Sequence, residues 1–218
     1  VTEQSTTRRT ALRAVGATVT SSLLVGCLNG ASGTGSIAET TFDDGTSDWS
    51  LVDMTTYDRS DDPDWSEVQG TLDLTWEESG GVEDTGYVKH LDNTDYAFFF
   101  DAPSEYLGDV SAAAGGQLAF SQRSSHTGLD RNAAVVLEGP DRVVTTQFDP
   151  PAQEWTQYTL TLDADTRDFH ERNVGGPTVD QPAVESVLSD FQALRIGGEH
   201  NAGVSEEVGF DEVRLSES

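Results

Sequence analysis

The residues of this chain that could carry out chemistry are mostly carboxylates. Glu77-Glu78, Glu206-Glu207 and Asp163 with Asp165 are the residue types that hydrolyse glycosidic bonds when two of them face each other across a cleft. The chain has 39 acids against 12 bases, so such pairs arise from composition alone. No other spacing marks a reaction centre. There is no Gly-x-Ser-x-Gly elbow, no glycine-rich phosphate loop and no His-Glu-x-x-His pair. His90, His126, His170 and His200 are scattered and read as surface or loop residues. The acid-rich stretches 58–67 and 163–168 lack the central Gly and terminal Glu of an EF-hand loop and read as solvated. Trp65, Trp76 and Trp155 have flat faces on which a sugar ring can stack. Trp76 belongs to an alternating apolar run and reads as core. Trp65, which follows Asp61-Asp62-Pro63-Asp64, is the better ligand surface. The expectation is a protein without catalytic residues.

The one thiol has a different use. Arg8 and Arg9 precede an apolar stretch from Ala14 to Val25, as in a twin-arginine export signal. That stretch is diluted by Gly, Ser and Thr and falls short of the roughly 20 apolar residues of a spanning helix. It runs into Leu23-Leu24-Val25-Gly26-Cys27, which resembles the lipobox of prokaryotic lipoproteins, and Cys27 is the only cysteine. A glycine- and serine-rich tether follows. The expected organisation is a signal peptide over 1–26, a lipidated tether over 27–38 and one domain over 39–218. Lipid on Cys27 would hold the protein at the extracellular face of the cell membrane, and no disulfide would remain.

The charge balance bears on solvent and partners. Removing residues 1–26 takes away three arginines and one glutamate, so 38 acids face 9 bases, a net of −29. Such a surface repels itself in dilute buffer, whereas molar salt shortens the Debye length to about 3 Å. Acids are spread over the whole chain and Lys89 is the only lysine, a haloarchaeal-type composition that points to high salt as the natural solvent. With no basic stripe to displace counterions, nucleic acid is excluded as a partner.

Stepping along the chain, short β-prone runs alternate with Gly, Asp, Asn and Pro turns. Residues 71–76 alternate, with Leu72, Leu74 and Trp76 on one face, and 155–162 alternate, with Tyr158, Leu160 and Leu162 on one face. Residues 96–100, 117–120 and 133–137 are apolar throughout, as inner strands would be, and 208–215 form a closing strand. The one good helix candidate follows Asp180, with Pro182 early and Val184, Val187, Leu188 and Phe191 on one side. A short turn is expected at 103–107. The predicted class is all-β, a two-sheet jelly-roll sandwich with one short helix.

Several of these runs, in one order, resemble the laminin B domain, also called laminin domain IV. They are Pro103-Ser104-Glu105-Tyr106-Leu107-Gly108-Asp109 leading to Gly115-Gly116-Gln117-Leu118-Ala119-Phe120, then Val135-Val136-Leu137-Glu138-Gly139, then Leu194-Arg195-Ile196-Gly197-Gly198, and finally Phe210-Asp211-Glu212-Val213-Arg214-Leu215. The resemblance implies a galactose-binding-like sandwich, similar to carbohydrate-binding modules, with a non-enzymatic extracellular role. Many carbohydrate-binding jelly rolls tie their first and last strands together with calcium. By that likeness Asp43 and Asp211 are expected to hold a structural calcium ion. The leading reading is therefore a surface lipoprotein whose module binds a glycan or another envelope component. A purely structural envelope lipoprotein is the alternative, and a glycan-active hydrolase the third.

Overall fold

The structure, a computed structural model, describes residues 35–54, 70–93, 97–126, 132–201 and 203–218. Among these residues a six-stranded sheet is built from β1 (Ser36–Thr40), β4 (Thr75–Glu77), β5 (Tyr87–Asp92), β7 (Gln117–Ser124), β10 (Thr156–Thr161) and β13 (Glu206–Ser216). Its order is β10-β7-β13-β5-β4, with β1 also on β13. A seven-stranded sheet contains β2 (Ser50–Met54), β3 (Gly70–Leu72), β6 (Ala97–Asp101), β8 (Ala133–Glu138), β9 (Val143–Phe148), β11 (His170–Glu171) and β12 (Ala193–Gly197), in the order β11-β9-β8-β12-β6-β2-β3. The expected two-sheet sandwich is what forms.

Alternation within each strand sends one set of side chains between the sheets. Phe98, Phe100, Val135, Leu137, Leu194 and Ile196 come from one sheet, and Leu118, Phe120, Val208 and Phe210 from the other, all buried in one cluster. Phe210 is at its centre. It stacks on Phe100 with ring centroids 4.3 Å apart and meets Trp49 at 5.2 Å and Phe42 and Phe120 at 6.0 Å. Nearby, the hydroxyl of Tyr106 donates to Val213 O at 3.0 Å and stands 2.9 Å from Thr40 Oγ1, which accepts from Trp49 Nε1 at 3.2 Å. Tyr106 and Trp49 thereby latch β1 onto β13, and burial raises the pKa of the Tyr106 hydroxyl above its ordinary value.

The helix forms where it was expected, as α1 (Gln181–Leu188). The Asp180 side chain caps it by accepting from Ala183 N at 3.3 Å, and Val184, Val187 and Leu188 are buried. The turn expected at 103–107 is a 3-10 turn over Ser104–Tyr106.

Two boundaries differ from the sequence reading. The run 71–76 is not one strand. It breaks after Leu72, and β3 pairs with β2 in one sheet while β4 pairs with β5 in the other. Leu72, Leu74 and Trp76 still pack on the shared core, because a chain crossing the rim keeps the same side toward the interior. The first strand also begins before residue 39. Ser36 pairs with Ser216 and Ala38 with Leu215, so residues 36–38 belong to the sheet.

Candidate functional site

Cys27, Arg8, Arg9 and Trp65 lie outside the described residues. Trp76 is half-buried against the core and donates its indole N–H to Phe42 O at 2.7 Å, a structural role. Asp163 turns back on its own loop, accepting from Asp165 N at 2.9 Å.

His200 lies in the loop after β12, one of the two settings expected of the histidines, but not at the surface. It is fully buried, with Nε2 3.1 Å from Gln122 Oε1. Glu206, one of the acids attributed to surface composition, is also fully buried. Its carboxylate accepts from His200 N at 2.9 Å and Ser124 Oγ at 3.0 Å, while Gln122 Nε2 donates to Gly197 O at 3.1 Å. This polar network crosses between the sheets at one end of the sandwich. Burial pushes the Glu206 carboxyl up, and the two donated hydrogen bonds oppose the rise.

Asp43 and Asp211 are drawn to one corner by the topology. β1 and β5 lie end to end along the same edge of β13, β5 pairing with Glu206 to Phe210 and β1 with Val213 to Ser216. Asp211 stands at the gap, where the register of β13 against β7 shifts and Glu212 adopts a positive φ of 49°. Its carboxylate is fully buried and accepts from Val82 N and Glu212 N, both at 2.8 Å. Burial, followed by the charges of Glu212 and Asp43, raises its pKa from 3.8 to about 6. Asp43 is exposed and accepts from Thr41 Oγ1 at 2.7 Å.

The donors in this corner are oxygens. A Cβ on Gly81 would meet Asp211 Oδ2 and Gly86 O at 2.6 Å and Thr85 O at 2.8 Å, so three oxygens converge on a residue that must be glycine. That donor type suits a hard cation. Among the described residues no group of three His, Cys, Asp or Glu side chains could hold a metal, so carbonyls or water would have to complete any shell.

A second arrangement lies on the outer face of the seven-stranded sheet. Directly paired residues share a face, and the register places Val52 beside Phe99, Asp101 beside Arg195, and Arg195 beside Val136. Val52, Met54, Phe99, Ala134 and Val136 form an apolar cluster separate from the central core. Next to it runs a charged row, in which Arg195 Nε donates to Asp101 Oδ1 at 3.1 Å and Nη1 to Glu138 Oε2 at 2.6 Å. The arginine side chain is 10% exposed, the two carboxylates 29% and 22%, so the flanking acids keep open edges. Burial raises the Asp101 carboxyl, and the adjacent guanidinium opposes that rise. These three residues lie far apart in sequence, and no local motif announces them. The apolar cluster itself is buried, so what this face offers a ligand is the open edges of two acceptors on either side of a fixed donor.

Trp155, the third tryptophan considered for stacking, lies on the outer face of the other sheet, its indole N–H donating to Gly80 O at 3.0 Å.

A family model described as Laminin B (Domain IV) matches residues 99–218. No curated protein matches the chain. Among solved structures the chain is similar to the L4b domain of human laminin alpha-2, with 12% identity and a TM-score of 0.58 over 83% of this chain and 98% of that one. It is also similar to the solution structure of CtCBM11, with 11% identity and a TM-score of 0.50 over 86% and 98%. The family 11 carbohydrate-binding module of the cellulase Lic26A-Cel5E of Clostridium thermocellum aligns at 12% identity and a TM-score of 0.48 over 83% and 95%. At these identities the likeness is one of fold.

Proposed function

The chain belongs to the laminin B (domain IV) family, and from that premise we propose that it is a cell-surface lipoprotein whose sandwich binds glycan without catalysis. The observation that carries the glycan reading is the Glu138–Arg195–Asp101 row on the outer face of the seven-stranded sheet, whose two carboxylates keep open edges around a fixed guanidinium. The row holds its own charges in place, so hydroxyls of an uncharged sugar can exchange with water at the open carboxylate edges at low entropic cost. Trp65 is the stacking partner in this reading, as expected from its sequence context. The test is a glycan-binding screen of residues 27–218 carrying Cys27→Ser, in molar salt. Retention of a neutral glycan is expected, with Glu138→Gln, Asp101→Asn and Trp65→Ala each weakening it roughly tenfold, the usual consequence of losing one good polar or stacking contact. No retained glycan, or equal retention by all variants, overturns the reading.

Lipid on Cys27 would supply the hold on the membrane, and Arg8 and Arg9 the route out of the cell. Full-length Cys27→Ser is expected to be exported and then found in the medium, because a lipidated cysteine is the only anchor in this reading. Continued membrane association after detergent-free washing would count against it. Lysine at both Arg8 and Arg9 is expected to block export. A calcium ion between Asp43, Asp211 and the carbonyls of Thr85 and Gly86 would be structural, fastening the meeting ends of β1 and β5.

A further inference from the structure

The outer face of the six-stranded sheet has a cation with no carboxylate beside it among the described residues. Arg123 and Lys89 flank Gly209 from the two neighbouring strands. Lys89 is held by Glu77 at 2.9 Å and Glu207 at 3.1 Å. Among the described residues no carboxylate stands within ion-pair distance of Arg123, although the chain has 39 acids. Its guanidinium lies instead 4.8 Å from the ring centroids of both Tyr87 and Trp155. Those two rings meet edge to face at 5.4 Å. The bare backbone at Gly209 makes room for the group, since a Cβ there would stand 2.9 Å from Trp155 Cη2 and 3.2 Å from Arg123 Cγ.

The two rings stand at 80° to each other, so the planar guanidinium lies parallel to at most one of them. A ring stacked on it contacts its π-face and leaves its N–H edge available. That edge is the fork that pairs bidentately with a planar or tetrahedral oxoanion. The stacking also fixes the group beforehand, so less freedom is lost when a ligand arrives. Beside it the half-buried indole of Trp155, tied at Nε1 to Gly80, offers ring surface next to the cation.

We propose that Arg123, Trp155 and Tyr87 form a second glycan site that takes a sugar bearing an oxoanion, either a uronate carboxylate or a sulfate ester. This site is on the opposite sheet from the Glu138–Arg195–Asp101 row and has the opposite charge preference. Molar salt screens the long-range repulsion between such a ligand and the acidic surface, while short hydrogen bonds and stacking persist.

The experiment is titration calorimetry in molar salt on residues 27–218 carrying Cys27→Ser. The ligands are an oligogalacturonate, a sulfated oligosaccharide, the neutral parent sugar of each, and oligoglutamate as an acidic peptide. At least one acidic oligosaccharide is expected to bind, roughly tenfold or more tighter than its neutral parent; which of the two binds identifies the source of the oxoanion. Arg123→Gln should abolish that preference, and Arg123→Lys should not restore it, because an ammonium lacks the fork. Circular dichroism of each variant guards against misfolding. Glu138→Gln should leave acidic binding intact, so loss of the first site and loss of this one are read separately. No acidic oligosaccharide binding, equal binding by folded Arg123→Gln, or equal binding of oligoglutamate overturns the proposal.

Discussion

Phe210→Ala is expected to destabilise the domain by about 3–5 kcal/mol, the usual range for emptying a buried aromatic position. Phe210 touches rings from both sheets and from the segment between β1 and β2, so its removal leaves a hole that neither layer can close alone. A domain of this size has roughly 5–15 kcal/mol of stability in total. The variant should therefore unfold at much lower denaturant in constant molar salt. Leu91→Ala is the control, since Leu91 is 57% exposed and should shift stability by no more than about 0.5 kcal/mol. Equal shifts for the two variants would contradict the placement of the core.

The second large effect is on pH. Asp211 titrates in the fold at about 6, above its ordinary 3.8, so the fold favours the protonated acid. Its contribution is fully present below pH about 4 and is lost as pH rises through about 6, a change on the order of 2–3 kcal/mol. Melting in molar sodium chloride with chelator should show stability falling across that window. Asp53, Asp101, Glu206 and Glu212 are raised by burial too and add in the same direction, so the informative quantity is the difference from Asp211→Asn, which removes one charge. Calcium at neutral pH should reverse the loss, since a cation favours the ionised form. Asp43→Ala and Asp211→Ala should each abolish that recovery. If wild type and Asp211→Asn have parallel pH profiles, the carboxylate is not the origin of the slope. Melting that ignores both chelator and calcium would falsify the cation.

Much of the sandwich was legible where the pattern is local. The apolar run at 133–137, the closing strand near Phe210 and the Asp180-capped helix all follow from side-chain period and capping chemistry, and each formed within a few residues of its expected bounds. Alternation shows which side of a strand faces the interior but not which sheet the strand joins, so 71–76 read as one strand although it spans two layers. The pairing of the first strand with the last was legible only through likeness to other jelly rolls. Burial of His200 and Glu206 was not, because both sit among polar neighbours and their partners Gln122 and Ser124 are about eighty residues away. The two outer-face arrangements were hidden for the same reason. Arg195 meets Asp101 and Glu138, and Arg123 meets Tyr87 and Trp155, only because the strand order brings distant segments side by side.

The end-to-end placement of β1 and β5 along β13 also has a mechanical consequence. β1 is antiparallel to β13, and the chain enters it at Gly35, whose carbonyl accepts from Glu217 N at 2.9 Å. When the body of the domain is pulled away from the entering segment along the strand axis, the ladder between β1 and β13 is stressed in shear. Its hydrogen bonds then resist together instead of opening one at a time. The contacts of Thr40, Trp49 and Tyr106 lie at the inner end of this ladder and act as its stop. A domain held by its N-terminal segment and dragged by a bound ligand would transmit that force through the strongest direction of its sheet, and β1 would slip only after that stop gave way.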